Sequence, residues 1–82
     1  MPRSINHCFA GAIYRARISR GMTQQQVADF LGRTKRWYQK IECGHSKPNL
    51  SDTLLLMALF QIDAAELIKE AGGHVSIPTR SK

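Results

Sequence analysis

The stretch GRTKRWYQKIECG, residues 32–44, carries four cations (Arg33, Lys35, Arg36 and Lys40), the only Trp of the chain and one of its two Tyr. Lysine and arginine heads are hydrogen-bond donors that accept nothing, and the chemistry they suit at this density is the grip of a polyanion. Aromatic rings suit a different task, which is anchoring in a core. Projection at roughly 100° per residue separates the two groups. Trp37, Tyr38 and Ile41 fall on one arc, and Lys35, Arg36, Gln39 and Lys40 fall on the other. The arrangement is that of a helix held from behind, with donors presented to something anionic.

Other chemistry finds less support. The six acidic residues form no obvious general acid–base pair, and Ser, His and Cys show no nucleophile signature, so no enzyme is expected. His7–Cys8 and Cys43–Gly44–His45 could supply two nitrogens and two sulfurs to a metal. They lack the usual CxxC or HxxxH spacing, so the expectation is no metal and no cofactor. Cys8 and Cys43 then read as small apolar fillers and His74 as a tail residue. No small-molecule ligand is evident.

The bulk numbers frame this. A chain of 82 residues with 43% apolar content makes one small domain. Two cysteines are too few for a disulfide scaffold. The opening MPRSINHC has no apolar core behind it, and LLLMALF is far short of a membrane span. A reduced, cytoplasmic protein with no membrane partner is the expectation. Net charge is +6, but +7 of it lies within residues 1–40, leaving −1 beyond. One cationic half points to a polyanion on one side.

The elements that must position the cations read as all-α, a compact five-helix bundle. The first helix runs from about Ile5 to Arg20, with Phe9, Ala12, Ile13 and Ala16 on one arc. TQQQVADFLG opens with Thr23 and Gln26 in a capping-box pattern and closes at Gly32. Thr34 caps a third helix to about Glu42, with Gly44 as its stop. Asn49 or Ser51 caps a fourth through Phe60. Asp63 with Glu66 reads as a second capping box, opening a fifth helix that ends at Gly72–Gly73. The domain is assigned to residues 1–73, and residues 74–82 to a basic, flexible tail. The second and third helices meet at a corner of three to four residues, with small Ala28 at their crossing and Gly32 in the turn. That is a helix-turn-helix layout, in which the second helix of the pair enters the DNA major groove.

On these residues the chain resembles a known family. RGMTQQQVADFLG, then KIECG, then KPNLSDTLLLMALFQID are similar to the lambda-repressor-like, Cro-type helix-turn-helix domain of phage and bacterial regulators, over about Phe9 to Ile68. The resemblance implies a sequence-specific transcriptional regulator that binds double-stranded DNA as a homodimer on a near-palindromic operator. It implies base reading by Lys35, Arg36 and Lys40 from a recognition helix of about 34–42, with Gln39 either reading a base or staying solvated. Gln24 would reach a phosphate and brace the recognition helix. Thr23, Arg33, Thr34 and Lys47 complete the expected phosphate contacts. Arg33 stands where the family usually carries a small aliphatic residue, its stem over the core and its head toward a phosphate. Arg17 and Glu42 each sit at the edge of an apolar arc, where an unpaired charge is costly. The resemblance implies a salt bridge between them.

LLLMALF is apolar all round. Leu56, Met57 and Phe60 are expected to close the bundle, with Leu67 and Ile68 added from the fifth helix. Leu55 and Leu59 are then left uncovered, and such a stripe marks a partner surface. The resemblance implies a dimer through the fourth and fifth helices, with Leu55, Leu59, Leu67 and Ile68 as its residues. The other cover is the tail segment HVSI. The rival function is an antitoxin or protein-adaptor module that uses the same fold mainly to dock a protein.

Overall fold

The computed structural model describes residues 4–72. Five helices follow in order: α1 (Ile5–Ser19), α2 (Gln24–Leu31), α3 (Lys35–Glu42), α4 (Leu50–Phe60) and α5 (Ala64–Glu70). The flexible tail and the HVSI cover expected above lie outside the described residues, as does the domain boundary at residue 73.

Each helix begins where a short polar side chain satisfies an orphan N–H group. Ser4 Oγ accepts from the His7 N–H at 3.0 Å, and Thr34 Oγ1 accepts from the Trp37 N–H at 3.1 Å. Thr23 forms a full capping box: its hydroxyl accepts from the Gln26 N–H at 3.0 Å, while Gln26 Oε1 accepts the Thr23 N–H at 2.8 Å. Asn49, not Ser51, caps α4 through the Asp52 N–H at 2.8 Å. The second capping box does not form. Asp63 turns its carboxylate to the Ala65 N–H at 2.9 Å, and Glu66 contributes only its backbone N–H to the Asp63 carbonyl.

The corner between α2 and α3 depends on Gly32. It takes φ +69°, in the left-handed region, and lets the Arg33 N–H bond back to the Ala28 carbonyl at 2.9 Å. Ala28 is fully buried where the two helices meet. A larger side chain there would push them apart.

The core runs through Phe9, Ile13, Val27, Tyr38, Ile41, Leu56, Phe60 and Leu67. Each large apolar side chain so buried contributes roughly 1.5–3 kcal/mol. α1 is the spine, packed against α3, α4 and α5, while α2 packs chiefly on α3. On α1 the buried arc is centred on Cys8, Phe9, Ile13 and Arg17, with Ala12 and Ala16 at its margins. Met57 and Trp37 likewise pack at the edge of the core rather than inside it. Among the described residues, no helix is long and apolar enough to cross a membrane.

Candidate nucleic-acid interface

The site is a surface of α3, and its geometry begins on the hidden side. Tyr38 and Ile41 are buried, with 0% and 1% exposure, and fix which way the helix faces. Lys35, Arg36 and Lys40 therefore point outward and are exposed. Among the described residues none of the three makes an ion pair, so their donors remain available. Gln39 lies at the edge of this face, half-buried.

The C-terminal end of α3 is locked by Glu42, whose carboxylate gathers four hydrogen bonds. Arg17 donates from Nε at 2.8 Å to Oε2 and from Nη2 at 3.0 Å to Oε1. The Tyr38 hydroxyl donates at 2.6 Å to Oε2, and Gln24 Nε2 donates at 2.9 Å to Oε1. Arg17 also donates from Nη1 to the Met22 carbonyl at 2.9 Å, which fixes the approach to α2. Burial is the strongest single influence on Glu42 and pushes its pKa up. The hydrogen bonds from Arg17, Tyr38 and Gln24 together outweigh it and hold the carboxyl below its ordinary value. The bond to Glu42, against the opposing pull of burial, raises Arg17. Burial first, and then the bond to Glu42, drives the Tyr38 hydroxyl far upward. The hub is therefore a fully charged pair with a neutral phenol at neutral pH.

The N-terminal end of α3 is held differently. Arg33 Nη2 donates to Asp52 Oδ2 at 2.6 Å, and its guanidinium lies 5.0 Å from the centre of the Trp37 ring. Asp52, in the first turn of α4, is 4% exposed. The sequence reading aimed the Arg33 head at a phosphate; in the structure it is turned to a carboxylate of its own chain. The unread signal was Asp52, whose place in a first helical turn is already accounted for by the helix dipole.

The remaining phosphate candidates fall around this face. Thr23, Gln24 and Lys35 line one open cleft with Arg17, Met22 and Gln25 at the start of α2. Thr34 has its hydroxyl engaged as a cap, and Lys47 is exposed in the connection from α3 to α4. Gln24 Oε1 accepts from Gln39 Nε2 at 3.1 Å, so the two glutamines are joined across the helix pair.

The residues expected at a dimer surface are spread over different environments. Leu55 is 46% exposed, Leu59 packs partly on the core, Leu67 belongs to the core, and Ile68 lines a groove with Ile5 and Phe9. The most open apolar side chains of α4 are Leu50 and Leu54, one turn apart, at 74% and 55%. A helix that is apolar all round gives no period from which to pick its free face, and so these two went unread. Cys8 is buried while Cys43 is exposed at the end of α3. Among the described residues no three His, Cys, Asp or Glu side chains come together to hold a metal.

Comparison with known proteins bears on this architecture. The helix-turn-helix domain family matches residues 9–68. The chain belongs to the helix-turn-helix family. Over 61 residues this helix-turn-helix domain is 34% identical to the SPbeta prophage-derived uncharacterized HTH-type transcriptional regulator YonR of Bacillus subtilis (strain 168). That match covers 74% of the present chain and 56% of the relative, so the domain spans little more than half of that protein. No solved structure matches the chain significantly.

Proposed function

We propose that this domain is a sequence-specific transcriptional regulator of the Cro type. It binds double-stranded DNA as a homodimer, in the cytoplasm, with α3 in the major groove of each half of a near-palindromic operator. The observation that carries the proposal is the pairing of three cations without an ion-pair partner among the described residues, Lys35, Arg36 and Lys40, with a helix fixed at both ends. A helix already held in place loses little backbone freedom when its side chains meet base edges and phosphates. Arginine suits a bidentate grip on guanine, so guanines belong in the half-site. The exposed Leu50, Leu54 and Leu55 supply an apolar ridge for a second copy. A two-fold pair would set the recognition helices about 34–36 Å apart, one turn of DNA.

Selection of binding sites from a random DNA library tests this directly. A palindromic consensus is the expected result. A groove reader that neutralises about 6–10 phosphates loses roughly 10³–10⁵ in affinity between 50 and 200 mM salt while it keeps its sequence preference. The same leucine ridge favours a second reading, an antitoxin or adaptor that docks an unlike protein. That reading predicts weak, sequence-blind DNA binding and a monomer by sedimentation.

A further inference from the structure

We infer that Asp52 keeps Arg33 off the DNA backbone and uses it to aim Lys35 and Arg36 at their bases. The inference rests on the DNA-binding reading above and adds to it a positioning pair that touches no base. Arg33 stands between Gly32, in the left-handed turn, and Thr34, the cap of α3. A long cation beside a binding face commonly reaches outward for a phosphate. Here Nη2 donates instead to Asp52 Oδ2 at 2.6 Å, and the guanidinium lies 5.0 Å from the centre of the Trp37 ring, four positions on. Among the described residues this is the only hydrogen bond between residues 24–42 and α4. α4 itself packs chiefly on α1.

Asp52 is a fixed post. Its own N–H is capped by Asn49 Oδ1 at 2.8 Å, and its side chain is 6% exposed. An acid so enclosed is costly to leave without a partner, so a phosphate at the surface competes poorly for Arg33. The side chains nearest this tie are Lys35 and Arg36, two and three positions on, in the first turn of α3. That turn has no intrahelical acceptors for its N–H groups and holds its shape through the Thr34 cap and the tie. Lys40 lies in the last turn, beside the Glu42 hub, and has an anchor of its own. Loosening Arg33 therefore blurs one part of the target and spares another.

The test uses the full chain and the operator selected by the wild-type protein, with affinity measured for every single-base change in it. Lys35→Met, Arg36→Met and Lys40→Met first assign the base pairs that each residue reads. In Arg33→Met and Asp52→Ala, discrimination at the Lys35 and Arg36 positions is expected to fall about five-fold or more. At the Lys40 positions it should stay within about two-fold of wild type. Asp52→Ala frees the guanidinium for the backbone, so its plot of log affinity against log salt should steepen by roughly 0.9, one phosphate more. Arg33→Met should leave that slope unchanged. Discrimination that stays intact, or is lost equally at all positions, overturns the inference. So does a slope that flattens by one phosphate in Arg33→Met or matches wild type in Asp52→Ala. Each of these leaves DNA recognition standing, whereas a wild-type selection with no consensus removes both. Arg33 is 41% exposed, so Arg33→Met keeps the positional test open even if Asp52→Ala fails to fold.

Discussion

Each end of α3 is held by an arginine–carboxylate pair, and the two pairs differ in how much water reaches them. Arg17 and Glu42 have side-chain exposures of 11% and 5%, and every oxygen of the acid is occupied. Arg33 is 41% exposed against 6% for Asp52, with its guanidinium 5.0 Å from the centre of the Trp37 ring. Charges sealed from solvent interact strongly but are costly to separate, whereas a half-open arginine can turn to water when its partner goes. The C-terminal end of α3 is therefore fastened more firmly than the end that follows the turn.

The sharpest way to break this comparison is Glu42→Ala. It strands Arg17 and the Tyr38 hydroxyl in the interior, and a loss of about 3–5 kcal/mol is expected in chemical or thermal unfolding. Asp52→Ala, the matching removal of the acid, should cost less, about 1–3 kcal/mol, since the Arg33 it releases is 41% exposed and turns to water. Equal losses from the two changes would refute the difference between the ends. Arg33→Lys refines the point. It keeps the charge but not the forked guanidinium that reaches both Asp52 and the Trp37 ring, and should fall between wild type and Arg33→Ala.

Acid probes the Glu42 end directly. The pKa of Glu42 is lower folded than unfolded, so its stabilisation is complete above the unfolded carboxylate value of about 4.3 and is lost as pH falls through the lower folded value. Unfolding midpoints measured across that window should fall with pH, and Glu42→Gln should fall less steeply. The smallest effect is expected at Arg15–Glu70, an ion pair with exposures of 60% and 44%. Arg15→Ala should shift stability by about 0.2–1 kcal/mol and lose even that in high salt.

The two ends also differ in how far the sequence disclosed them. Caps and glycine turns act over three or four residues, so Thr23 with Gln26, Thr34, Gly32 and Gly44 announced their helices locally. The outward aim of Lys35, Arg36 and Lys40 followed from helical period alone, because Tyr38 and Ile41 left only one face to bury. Arg17 and Glu42 each sat at the edge of an apolar arc, which marked them as charges in need of partners. Arg33 and Asp52 carried no such mark. Asp52 lies 19 positions away, at a helix start where an acid already has a reason to be. The link from Gln24 to Gln39 was hidden for another reason. Neutral amides on two surfaces have no preferred partner until the helices that bear them are docked.

One property of the exposed side of α3 reaches beyond a single molecule. Lys35, Arg36 and Lys40 hold no part of the described chain together, while the residues that fasten the helix lie on its opposite side or at its ends. Under the proposed DNA-binding role, folding and target choice would then be inherited through almost separate sets of codons. In that role a descendant could exchange all three lysine and arginine positions and keep the same scaffold, so new targets would lie a few substitutions away without an unfolded intermediate between them.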